Sequence, residues 1–112
     1  MAVDQRDLID MMSIDKENGD VVLTISDHLD WSNTSQHQEM LQTKFNAYLA
    51  FVEGGQLAQQ YPEAENRPVV FRVVFKYRPD GEGLMFLDRA RAVIELAGFT
   101  LLHELFAESY NN

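Results

Sequence analysis

The sequence contains no cysteine, which excludes disulfide bonds, thiolate metal sites and thiol catalysis. It also lacks any unbroken apolar stretch near the ~20 residues that a membrane-spanning helix requires, so no membrane partner is expected. At the N-terminus, residues 1–12 carry acidic side chains where a secretory signal peptide needs positive charge and a continuous apolar run. These features predict a cytoplasmic protein.

Basic residues are scarce: nine Lys and Arg stand against 18 Asp and Glu, and the net charge is −9. The acidity is confined to residues 1–66, which hold 12 acids and 3 bases, whereas residues 67–112 hold 6 of each. Binding to a phosphate backbone needs a basic surface, so no nucleic-acid partner is expected. A solvated acidic surface is the simplest interpretation, and the charge also permits electrostatic steering toward a basic protein partner.

The composition is typical of a globular chain, with 46% hydrophobic and 24% charged residues, and it predicts a single domain over residues 1–112. Residues 8–27 predict a β-hairpin. An apolar run leads into Asn18-Gly19, a strong turn signal, and residues 21–26 then alternate as a strand does.

The remaining pattern predicts two helices and two strands. Residues 34–53 form a helical period that Gly54-Gly55 ends. The apolar stripe of this helix consists of Leu41, Phe45, Tyr48, Leu49 and Val52. Residues 69–77 alternate as a strand, residues 83–97 are amphipathic as a helix, and residues 99–105 predict a last strand.

The predicted order is therefore β-β-α-β-α-β. Strand–helix–strand units are right-handed crossovers between parallel strands, and two crossovers of one hand place both helices on one face. The sequence thus predicts an α+β protein, a two-layer sandwich in which a four-stranded mixed sheet carries two helices on one face. The order of the strands in the sheet is left open.

A candidate site lies where the parallel strands end, because ligands of open α/β sheets gather at that edge. The edge would bring residues 27–31, here called the joint, close to the loop 77–80. The candidate ligand-binding residues are His28, Asp30, Trp31, Arg78 and Asp80. Arg78 also belongs with Arg72 and Lys76 to a basic set at even positions, which suits either an anion or a solvated sheet face.

The joint has three possible interpretations. His28 is a candidate general base that a neighbouring aspartate would orient, but no activated nucleophile accompanies it, so no catalytic residue is assigned. His28 and Asp30 with Asp27 or His37 would be an incomplete ligand set, so no metal and no cofactor are predicted. The third interpretation is structural, with the residues turning a strand into a helix.

Four segments resemble a family of small, acidic bacterial proteins of about 110 residues and of unknown function. They are IDKENGDVVLTISDHLDW, KFNAYLAFVEGGQL, YPEAENRPVVFRVVFKY and GLMFLDRARAVIELAGF. The similarity extends from about Ile9 to His103, and SDHLDW is its most distinctive part. The resemblance implies one compact fold and carries over neither an activity nor a functional residue.

Two functional hypotheses follow. The small size, the acidic first half and the incomplete catalytic constellation favour a non-catalytic interaction module that binds a basic protein or a second copy of itself. The alternative is a small-ligand-binding protein or enzyme that uses residues 27–31.

Overall fold

The computed structural model describes residues 11–106. Strand β1, Met11–Ile14, and strand β2, Val21–Asp27, pair antiparallel as the predicted hairpin, and residues 8–10 of that prediction lie outside the described residues. Between the strands, the Asp15 carboxylate accepts hydrogen bonds from backbone amides of the loop. Gly19 closes the loop at a φ of +79°, which glycine adopts at little cost.

Helix α1, Thr34–Glu53, matches the predicted bounds. Its first turn is capped by the Asn33 side chain, whose oxygen accepts the Gln36 amide hydrogen bond at 3.2 Å. After the glycine pair follow a short helix α2, Gln56–Gln60, and a single 3-10 turn, Pro62–Ala64.

The C-terminal half consists of strand β3, Val69–Phe75, helix α3, Gly81–Leu96, and strand β4, Thr100–Leu105. Strand β3 ends two residues before the predicted bound, because β2 ends at Asp27 and offers no further ladder partner beyond it. Tyr77 consequently lies outside the strand and is exposed, whereas the alternation placed it on the buried face.

The strand order, which the sequence left open, is β1-β2-β3-β4. Strand β1 is antiparallel to β2, and β2, β3 and β4 are mutually parallel neighbours. Both long helices cover one face of the sheet, so the predicted α+β fold is confirmed. The core includes Val21, Leu23, Ile25, Leu41, Phe45, Tyr48, Val69, Phe71, Val73, Phe75, Phe86, Leu87, Ala90, Ile94 and Leu101.

The opposite face of the sheet carries a mixture of polar and apolar side chains. Arg72 on this face forms an ion pair with Glu104 of the neighbouring strand, and Leu102 beside them is exposed. Lys76 and Arg78 lie beyond the end of β3 and are exposed, so the basic set does not form a continuous row on the strand. Within residues 11–106, no helix is long and apolar enough to cross a membrane.

Candidate functional site

Asp27 and His37 meet in the interior at the point where β2 gives way to α1. Asp27 continues the inward alternation of Leu23 and Ile25, and His37 lies one turn before Leu41 on the buried stripe of α1. The Asp27 Oδ2 and His37 Nε2 atoms are hydrogen bonded, and each residue is only 2% exposed. Two ionisable side chains are thus removed from water and depend on each other.

The remaining polar atoms of this pair are also hydrogen bonded. The His37 Nδ1 atom lies 3.0 Å from the Asp30 carbonyl oxygen, and the Leu29 amide donates to Asp27 Oδ1 at 3.0 Å. Both ring nitrogens of His37 are therefore engaged within the protein. The imidazole holds the joint in place rather than facing a substrate.

Trp31 covers the pair. Its ring stacks on the His37 ring with centroids 3.8 Å apart and planes inclined by 24°, and it leans on Phe75 at 5.8 Å. The indole Nε1 donates a hydrogen bond to the Tyr77 carbonyl at 3.3 Å. The single tryptophan of the chain thereby joins the β2–α1 connection to the β3–α3 connection.

Asp80 makes a second link between the two connections. Its Oδ1 atom accepts the Gly83 amide at 2.7 Å and so caps α3, while its Oδ2 atom accepts the Thr34 hydroxyl at 2.7 Å. The Thr34 hydroxyl, followed by the Gly83 amide, lowers the pKa of Asp80 because both donate to its ionised form. The N-termini of α1 and α3 are therefore tied together.

The other three candidate residues are placed differently. The Asp30 carboxylate turns back to Ser32, whose hydroxyl and backbone amide lower the pKa of Asp30. His28 and Arg78 are exposed. The structure thus brings Trp31 and Asp80 together and leaves His28, Asp30 and Arg78 at the surface, so ligand binding by the five stays a prediction.

A hollow of about 130 Å³ opens beside the joint. Leu29, Asp30, Gln36 and Met40 line it, together with the edge of His37. Small-molecule sites occupy roughly 300–1,000 Å³, so the hollow is smaller than a usual ligand pocket. Among residues 11–106, no group of three or more His, Asp or Glu side chains is arranged to hold a metal ion.

From the sequence, His37 was named only as part of an incomplete metal set and Asp27 as part of that set and of the joint, and their pairing was not predicted. A signal was present, because each continues the apolar phase of its own element. Asp27 follows Val21, Leu23 and Ile25 at intervals of two, and His37 precedes Leu41 by four. Two polar residues in buried phase at the end of a strand and the start of the next helix are candidates to pair.

A second feature lies between the two long helices, where a shallow hollow of about 100 Å³ separates α1 from α3. We call it the α1/α3 groove. The stacked rings of Phe45 and Phe86, whose centroids are 6.3 Å apart, line it together with Leu49 and Val93. The polar side chains that line it are Gln42 and Arg89.

These features describe a two-layer α+β protein with a tightly bonded joint and an apolar groove between its helices. The chain belongs to DUF6572, a family of unknown function whose model matches residues 1–107. No curated protein and no solved structure matches this chain.

The packing of Trp31 against α3 leads to a prediction for Gly83. A Cβ atom at Gly83 would lie 2.8 Å from Trp31 Cζ3 and 3.0 Å from Cη2, so Gly83→Ala should lower the free energy of unfolding by about 1–3 kcal/mol. Gly81 is the matched control, because a Cβ there meets open space. Gly81→Ala should be neutral or stabilise by up to about 1 kcal/mol. Urea unfolding measures both, and equal effects of the two changes would contradict the predicted clash.

Proposed function

We propose that the protein is a non-catalytic interaction module that binds an amphipathic helix of a basic partner protein along the α1/α3 groove. The observation that carries the proposal is a second apolar stripe on α3, which the core does not use. Met85, Val93 and Leu96 are 60%, 57% and 89% exposed. We call these three residues the outer stripe.

The outer stripe has the spacing of a helix-docking face. Its members are separated by eight and three residues, so they lie on one side of α3, and Val93 also lines the α1/α3 groove. Groove and stripe are therefore continuous. A guest helix would place its own apolar side chains, spaced by three and four residues, over Phe45, Phe86 and Val93.

The size of the groove favours a polypeptide over a small molecule. Its volume of about 100 Å³ is below the roughly 300–1,000 Å³ of small-molecule pockets. A helix lying across a shallow surface instead gains affinity from a few apolar anchors along its length.

The charge of the protein favours a basic partner over a second copy. Because the net charge is −9, two copies of the protein repel each other. A positively charged partner is attracted instead, and its association is accelerated. The two helices that form the groove also carry carboxylates, Glu82 in the first turn of α3 and Glu53 as the last residue of α1. Arg89 within the groove provides one position for a carboxylate of the guest helix.

Two designed peptides of about five helical turns test the proposal, one built of Leu and Lys in an amphipathic pattern and the other of Leu and Glu. The Leu/Lys peptide should shift the NMR amide signals of Phe45, Leu49 and Val93 and bind less tightly as salt is raised. The double change Val93→Asp and Leu96→Asp should raise the Kd of the Leu/Lys peptide at least about tenfold. This factor corresponds to a loss of about 1.4 kcal/mol of binding free energy.

Leu102→Asp is the matched control, because Leu102 lies on the opposite face of the sheet and is 53% exposed, close to the 57% of Val93. It should leave the affinity unchanged. Binding of the two peptides with equal affinity, shifts confined to the sheet face, or no binding of either peptide would each overturn the proposal.

A further inference from the structure

We propose that the Asp27–His37 pair stores one extra proton in the folded protein and acts as a pH-sensitive latch of the joint. The inference rests on the hydrogen bonds of the pair and is independent of the proposed docking surface.

The Nδ1 atom of His37 must carry a proton, because it faces the Asp30 carbonyl oxygen and a carbonyl can only accept. The Nε2 atom faces Asp27 Oδ2 within hydrogen-bond distance. Neither a neutral Nε2 lone pair nor a carboxylate oxygen can donate, so a second proton must lie between them. Asp27 Oδ1 already accepts the Leu29 amide, so the shared proton lies between Nε2 and Oδ2 and not on Oδ1.

The pair therefore holds two protons, either as carboxylate and imidazolium or as carboxylic acid and neutral imidazole. Without the shared proton, a carboxylate would face an imidazole lone pair in an interior that is almost closed to water. Trp31 and Phe75 close the site on the ring side. Losing the proton should release the hydrogen bond and loosen the stack under Trp31.

In the unfolded chain the two side chains are apart and share no proton, and an unconstrained histidine loses its proton above about pH 6.5. Above that pH the folded protein binds one proton more than the unfolded chain. The slope of the free energy of unfolding against pH is proportional to the number of protons bound by the unfolded state minus the number bound by the folded state. This difference is negative here, so stability should fall as the pH rises above about 6.5.

The surrounding charged groups act in a different pH range. The pKa values of Asp30 and Asp80 are lowered by their hydrogen bonds, so their contribution changes only in acid. The ring of His103 in β4 packs edge-on against Phe75. Burial, followed by the charge of Arg91, lowers the pKa of His103, so its contribution to the free energy of unfolding is lost as the pH falls. The further charged groups near the pair are His28, the buried Lys44 two turns along α1, and Lys76 at the end of β3.

Asp27→Asn tests the inference, because the amide can replace the shared proton. Its oxygen would accept the Leu29 amide as Oδ1 does, and its NH₂ group would donate to neutral His37 Nε2. In urea titrations followed by Trp31 fluorescence from about pH 6.5 to 9, the wild-type unfolding constant should rise by up to about tenfold per pH unit. The Asp27→Asn constant should change by less than about twofold per unit, since no shared proton is lost.

Asp30→Asn is the matched control, because the Asp30 side chain bonds to Ser32 and not to the imidazole. It should keep the wild-type pH dependence. Parallel curves for wild type and Asp27→Asn would overturn the inference. If Asp27→Asn does not fold, nitrogen-detected NMR of wild-type His37 at about pH 7.5 decides instead. Two protonated positions are expected, and a bare Nε2 lone pair would overturn the inference.

Discussion

Replacing His37 with alanine should lower the free energy of unfolding at neutral pH by about 3–5 kcal/mol. The change removes the partner of Asp27 Oδ2 while the carboxylate stays almost fully buried. Breaking a buried pair costs more than the pair contributes, because one charged group is left without compensation. The Asp30 carbonyl loses its donor as well, and Trp31 loses the ring on which it stacks.

His28→Ala is the matched control for this prediction, because it removes the same kind of side chain next to Asp27 but from an exposed position. It should change stability by less than about 0.5 kcal/mol. Adding Asp27→Asn to His37→Ala should restore part of the loss, because an unpaired amide costs less than an unpaired carboxylate. If His37→Ala cost no more than His28→Ala, the pair would not be an energetic centre of the joint.

Phe71→Ala is expected to cost about 3–5 kcal/mol for a different reason, the opening of a cavity in the core. Phe71 is fully buried in the central strand β3. Its ring meets Tyr48 of α1 edge-on at 5.7 Å and stacks near Phe99 at 5.8 Å. The substitution therefore removes contacts between the sheet, α1 and the connection into β4 at once.

Leu102→Ala is the control here, since Leu102 lies in the neighbouring strand on the opposite face and is 53% exposed. It should cost less than about 0.5 kcal/mol. In urea titrations Phe71→Ala should lower the midpoint while the slope stays constant, because the surface exposed on unfolding hardly changes. Equal midpoints for the two variants would contradict the assignment of the core to the helix-covered face.

The sequence predicted the elements well where periodicity is long. The apolar residues from Leu41 to Val52 predicted α1 with its observed bounds, because each turn of a helix repeats the signal. The ends of β3 and α3 were less well predicted. Strand β3 stops at Phe75 for lack of a paired neighbour, and α3 begins at Gly81 because Asp80 caps it.

The candidate site was likewise predicted in part. Residues 27–31 and the loop 77–80 were expected at one sheet edge, and the structure brings Trp31 into contact with the Tyr77 carbonyl. His28 was the histidine named in the candidate set, and its role as a ligand-binding residue stays a prediction. His28 is exposed, and His37, ten residues beyond Asp27, makes the buried hydrogen bond.

By itself, the sequence determined the order β-β-α-β-α-β and the two-layer packing. Periodicity is a local property of the sequence, and the right hand of crossovers follows from the twist common to all β-strands. Only the tertiary structure decided the strand order, the Asp27–His37 pair under Trp31 and the groove that joins Phe45 to Val93. Each of these brings together residues from different elements. Contacts at such separations depend on how the elements pack, and local patterns carry no direct record of them.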